Sequence, residues 1–138
     1  MLQDIPAPFC HHQAMENLLK YLTIAIALFT YSPAFADTPV IEAVKSVQNG
    51  ERWTISVTLS HPDTGWDHYA DGWEVFDLYG NSLGLRVLAH PHVNEQPFTR
   101  SLSGVVVPNR IKQILIKTRD NVDGWGKDAF TFKLEEQP

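Results

Sequence analysis

From Val40 to Leu134 the chain is broken at short intervals into runs that alternate apolar and polar residues, and no stretch repeats its apolar residues at helical spacing. "RWTISVTLS" is the clearest run: Trp53, Ile55, Val57 and Leu59 share one face, with threonines and serines on the other. "VIEAVKSVQ" leads into Asn49-Gly50, a hairpin pair because both residues tolerate positive φ. "WEVFDLY" ends at Gly80-Asn81, a second tight turn. "LGLRVLAH" and "FTRSLSGVVV" flank "PHVNEQP", while "IKQILIKTR" and "DAFTFKL" flank "DNVDGWGK". Seven such runs predict an all-β, antiparallel sandwich; a small barrel satisfies the same spacing.

Residues 1–36 are set apart from that pattern. "MLQDIPAPFCHHQA" is polar and broken by proline, and "MENLLKYLTIAIALFTYSPAFA" has the layout of a secretory signal peptide starting at Met15. Lys20 precedes an apolar run from Tyr21 to Tyr31, and Ala34 and Ala36 supply the small residues of a cleavage site. The run is far short of the roughly 20 residues a membrane span needs, so no membrane insertion is expected after cleavage. Cutting after Ala36 leaves a single domain, 37–138, in the periplasm or secreted. It also removes Cys10, the only cysteine, so the domain has to stand on its core without a disulfide. A domain of this size can, since only those below about 40 residues usually need a covalent staple. Taking Lys20, Asp4 and Glu16 from the chain's 11 basic and 16 acidic residues leaves 10 against 14. A mildly acidic chain with no basic run is a poor partner for nucleic acid.

In strand count, length and the position of Trp73 at the opening of the third strand, the chain resembles immunoglobulin and fibronectin type III sandwiches. The antibody-type disulfide is absent, and "IKQILIKTR" holds no tyrosine-corner residue. "GWDHYADGWEV", "HPHVNEQPFTRSLSGV" and "DGWG" also resemble a group of small exported bacterial proteins with no activity assigned. That resemblance implies an exported sandwich and brings no site residues with it.

If each strand crosses the sandwich and reverses, successive connections fall at alternate ends. The first, third and fifth are short and plain. The second, fourth and sixth, residues 61–71, 90–97 and 120–127, are longer and carry every histidine of the domain: His61, His68, His90 and His92. Loops on a rigid scaffold are where binding chemistry concentrates. Imidazoles suit Zn and Cu, and carboxylates can complete such a shell. "HPH" places His90 and His92 two apart around an extended proline, and His61 and His68 come from another loop, giving a two-plus-two ligand set. Without thiolate, Cu(II), Zn or Ni fit better than Cu(I). The competing account leaves these histidines capping strand ends or solvated. A second reading uses Trp66, Asp67 and Trp125, in loops rich in glycine, as a contact face for an exported protein or a glycan. The alternative there is that Trp66 or Trp125 folds back to plug the sandwich.

Catalysis is not expected. "DTG" at 63–65 resembles the aspartic protease signature, but His61-Pro62 stands where an apolar strand is required, and Trp66 follows where a small residue belongs. No nucleophile with a base beside it is evident. Asp63, Asp67, Asp71, Asp120, Asp123 and Asp128 flank the same loops, yet "DNVDG" lacks the alternating order of a calcium hand. The sequence thus predicts an exported, non-catalytic binding module with a Cu- or Zn-binding loop face, and a tryptophan contact face as the alternative.

Overall fold

A computed structural model describes residues 37–135. The leader, its cleavage site and Met15 lie outside the described residues. Within them the chain is all β, with no helix and eight strands: β1 (Val40–Asn49), β2 (Arg52–Ser60), β3 (Ala70–Phe76), β4 (Ser82–Val87), β5 (Phe98–Val106), β6 (Gln113–Asp120), β7 (Gly124–Trp125) and β8 (Phe130–Lys133). They form two sheets of antiparallel strands. One has the order β1-β2-β5; the other runs β4-β3-β6, with β7 and β8 both on the free edge of β6.

The eighth strand does not add a crossing. β7 pairs with Arg119 and Asp120 at one end of β6, and β8 pairs with Gln113–Ile116 at the other. The two share a single lane, interrupted at residues 126–129, where seven strands predict one continuous partner. The even–odd count therefore survives, and the connections 61–69, 88–97 and 121–123 leave from one rim. Turn positions differ in detail. Asn49 pairs with Arg52, so the first hairpin turns on Gly50-Glu51 rather than on Asn49-Gly50. Asp77 and Asn81 close the next turn, a loop carrying Gly80 at φ +88° in place of the expected Gly80-Asn81 pair. β3 begins at Ala70, which moves Trp73 from the start of the strand to its middle.

The core follows from the period-two pattern. Trp53, Ile55, Val57 and Leu59 of β2 face Trp73 and Val75 of β3 and Ile114 and Ile116 of β6, all buried, closed by Phe98, Val105 and Val107. Burying a side chain of this kind stabilises by about 1.5–3 kcal/mol, which accounts for a fold that needs no disulfide. The outer face of the first sheet is a hydroxyl ladder. Ser56 meets Ser101 at 2.7 Å, Thr58 meets Thr99 at 2.7 Å, and Thr54 donates to Ser103 at 3.2 Å. Cross-strand pairs of that kind fix register on a face away from the apolar core.

Candidate metal centre at the loop rim

The inward stripe of β2 does not stop at Leu59. One period further on is His61, buried, just past the last strand residue. The inward stripe of β6 likewise runs Ile114, Ile116, Thr118 and ends on Asp120, also buried. Each inward stripe thus ends on a buried ionisable group at the rim of the core. The third member, His68, comes from a small turn. Thr64 N–H donates to His68 O at 2.9 Å and His68 N–H to Gly65 O at 3.2 Å. Gly65 sits at φ +136°, a conformation that residues with a Cβ rarely adopt. That turn precedes Ala70, which pairs with Asp120 across the sheet, so His68 is brought to the end of β6.

His61, His68 and Asp120 each offer a ligand atom, and these atoms lie within 4.8 Å of one another. The two imidazoles meet edge to face with centroids 4.8 Å apart, and His68 Nε2 is 3.5 Å from Asp120 Oδ1. His61 Nε2, His68 Nε2 and Asp120 Oδ2 are buried atoms with no hydrogen-bond partner. The second side-chain atoms of Asp120 and His61 are engaged. Asp120 Oδ1 accepts the N–H groups of Val122 and Asp123 at 2.8 and 2.7 Å. His61 Nδ1 lies 2.5 Å from Asp63 Oδ1; a carboxylate only accepts, so Nδ1 donates, and in the neutral ring Nε2 is the lone-pair nitrogen. Asp63 is itself fully occupied, its Oδ1 taking Ala70 N–H at 2.9 Å and its Oδ2 taking His92 N–H at 2.7 Å. A histidine held by a carboxylate at one nitrogen, with the other free, is the usual arrangement behind a metal ligand.

Amide side chains pin the loops around this group. Asn121 accepts from Tyr69 N–H at 2.8 Å and donates to the carbonyls of Trp66 and Asp67 at 3.1 and 3.3 Å. Its own backbone N–H donates to Tyr69 O at 3.1 Å. Gln96 joins the second and fourth connections, accepting from His61 N–H at 3.1 Å and donating to His92 O at 3.0 Å.

The other predicted residues lie on the same rim in different roles. His90 is exposed, its ring 4.6 Å from that of His92, as the extended His-Pro-His segment predicts. His92 is buried and stacked flat on Phe98, at 3.9 Å and 7°. Burial, followed by the charges of Arg100 and His90, holds its imidazole below the usual range. Neither joins the cluster of His61, His68 and Asp120, so the two-plus-two histidine set is not the grouping formed. Trp66 and Trp125 are 67 % and 40 % exposed, so neither plugs the sandwich; Asp67 is exposed beside Trp66. Trp125 stands over the Arg119 guanidinium at 5.3 Å, and Asp71 grips that guanidinium at 2.8 and 3.0 Å. Beside Trp125 opens a groove of about 600 Å³ where the β7–β8 lane is interrupted, lined by Ile41, Lys127, Asp128 and Phe130 among others.

In the sequence Asp63 and Asp120 stand out only as loop acids, and no local pattern marks Asn121 or Gln96. The signal for Asp120 was present: it continues an inward stripe.

No protein-family model matches the chain. Over 96 residues it is 36 % identical to a protein of Halomicrobium mukohataei that bears the provisional name of lipoprotein. The match takes in 70 % of this chain and 47 % of that protein, so the chain spans about half the length of this relative. That likeness brings no ligand with it.

Proposed function

We propose that this chain is an exported, non-catalytic binding domain that holds one Zn(II) or Cu(II) ion between His61, His68 and Asp120. The observation that carries the reading is that His61, His68 and Asp120 bring ligand atoms within 4.8 Å of one another and that each of them holds a buried polar atom without a hydrogen-bond partner. A buried polar atom without a partner costs about 1–3 kcal/mol, and one cation satisfies all three. Two imidazoles and a carboxylate, with no thiolate, suit Zn(II) or Cu(II). An ion bonded at about 2.1 Å holds tetrahedral donors about 3.4 Å apart, so the cluster has to draw in slightly. His68, the one member with solvent on its side chain, has room to move.

Export, to the periplasm, the envelope or the outside of the cell, is supported by the leader-like residues 15–36 and by the name of the Halomicrobium mukohataei relative. The strand order, β1-β2-β5 against β4-β3-β6 with β7 and β8, supports a fibronectin type III-like variant of the immunoglobulin sandwich. A second reading, a rim that contacts a glycan or an exported protein, is favoured by the exposure of Trp66 and Trp125 and by the groove beside Trp125.

Calorimetric titration with Zn(II) and Cu(II) tests the first reading. Binding that is lost in His68→Ala and His61→Ala but kept in His90→Ala supports it. Equal heats in all four proteins refute it. Quenching of Trp66 or Trp125 fluorescence by an oligosaccharide, with no metal heat, supports the second.

A further inference from the structure

With an ion held by His61, His68 and Asp120, the reading on which this inference rests, three donors leave a tetrahedral centre one bond short. Structural zinc sites are closed by four protein ligands, whereas sites that accept an outside ligand keep a position free. Among the described residues the donor group consists of His61, His68 and Asp120. His92 has two unpartnered ring nitrogens, but its ring is stacked on Phe98 and its backbone is tied to Asp63, so it reaches the ion only by giving up that packing. Asp63 has both oxygens committed.

Access is one-sided. The side chains of His61 and Asp120 are fully covered, and that of His68 is 25 % exposed. A ligand from outside therefore arrives past His68, beside the turn that carries Trp66. Charge selects its type. A dication meets the carboxylate of Asp120 directly and that of Asp63 one residue behind, through His61. Two negative charges offset two positive ones, and little field remains to draw in an anion.

We propose that the fourth position of this site is open and takes a neutral nitrogen donor, an imidazole, entering past His68. The donor is either a free small molecule or the histidine of another polypeptide; the coordination chemistry is the same.

The test uses Co(II) as the probe, in the full chain. Cys10, His11 and His12 offer donors of their own, so the spectrum of His68→Ala is subtracted as a control. The expected result is a set of visible bands that depends on His68, shifts saturably with imidazole and responds only weakly to azide. A histidine-containing tetrapeptide effective at lower concentration than imidazole identifies a polypeptide donor; equal potency identifies a free one, and both support the open position. Bands that stay fixed, that vanish as imidazole strips the ion, or that respond more to azide overturn the proposal while the metal reading stands. Absence of any His68-dependent band overturns both.

Discussion

Replacing Asp120 with asparagine tests the metal reading by the sign of its effect. In the metal-free chain Asp120 Oδ1 accepts two backbone N–H groups, and an amide oxygen can take over both. Oδ2 has no partner; an amide nitrogen in its place is a donor in a cluster where the Nε2 atoms of His61 and His68 also lack a partner. The exchange removes an unsatisfied acceptor and adds a hydrogen bond, so metal-free stability should hold level or rise by about 1 kcal/mol. For a domain of this size that is up to about 4–8 °C in melting temperature. The metal effect runs the other way. An ion at a hundredfold excess over its Kd stabilises by about 2.7 kcal/mol, about 10–20 °C on the same scale, and an amide nitrogen is no substitute ligand. The assay is thermal melting by circular dichroism, with and without Zn(II), after EDTA treatment. Wild type should melt higher with zinc, whereas Asp120→Asn should match or exceed wild type without it and gain little from it. If Asp120 instead serves only as the ion partner of a protonated His68, the variant melts lower without metal and zinc moves neither protein. That result refutes the reasoning.

Asp63→Asn turns an all-acceptor group toward three donors, His61 Nδ1, Ala70 N–H and His92 N–H; at least one of them loses its partner, and urea denaturation should show a loss of about 1–3 kcal/mol. His90→Ala, at an exposed position outside the donor cluster, should change stability by less than about 0.5 kcal/mol in the same assay. Trp73→Ala opens the middle of the core and should cost about 3–5 kcal/mol, seen as loss of the cooperative urea transition. Asp77 sits below its ordinary 3.8, first through the Asn81 side-chain amide and then, against the opposing effect of burial, through backbone N–H groups of Asn81, Tyr79 and Gly80. Its folded value being the lower one, its stabilisation is complete above the unfolded value and is lost as pH falls through the folded one. Asp77→Asn should therefore flatten the acid limb of the stability curve below pH 3.8.

The sandwich was legible because its information is local. Alternation in Trp53–Leu59 and Ile114–Ile116 marks one face of each strand, and that face is the core. The gathering of loops on one rim was legible for the same reason, since it needs only a count of reversals. The break between β7 and β8 was not, because Gly126–Ala129 reads as a turn and its placement depends on how β6 is shared. Within the site, His61 and His68 were visible as residue types, but their partner was not. As residue types His90 and His92 are equal to His61 and His68, yet the rim places them on its exposed side and on Phe98. Asp120 becomes visible only when alternation is carried past the last apolar residue of β6. Asn121 and Gln96 bond to backbone groups far along the chain, a relation no local pattern encodes.

The Asn121 clasp has a kinetic corollary. With the 66–69 segment fastened at four points to the end of β6, that bend is not free to swing aside as one piece, and rotation of the His68 side chain is the motion left to it. For the proposed ion, drawing the cluster together then falls to His68 alone, the one member whose side chain is partly exposed.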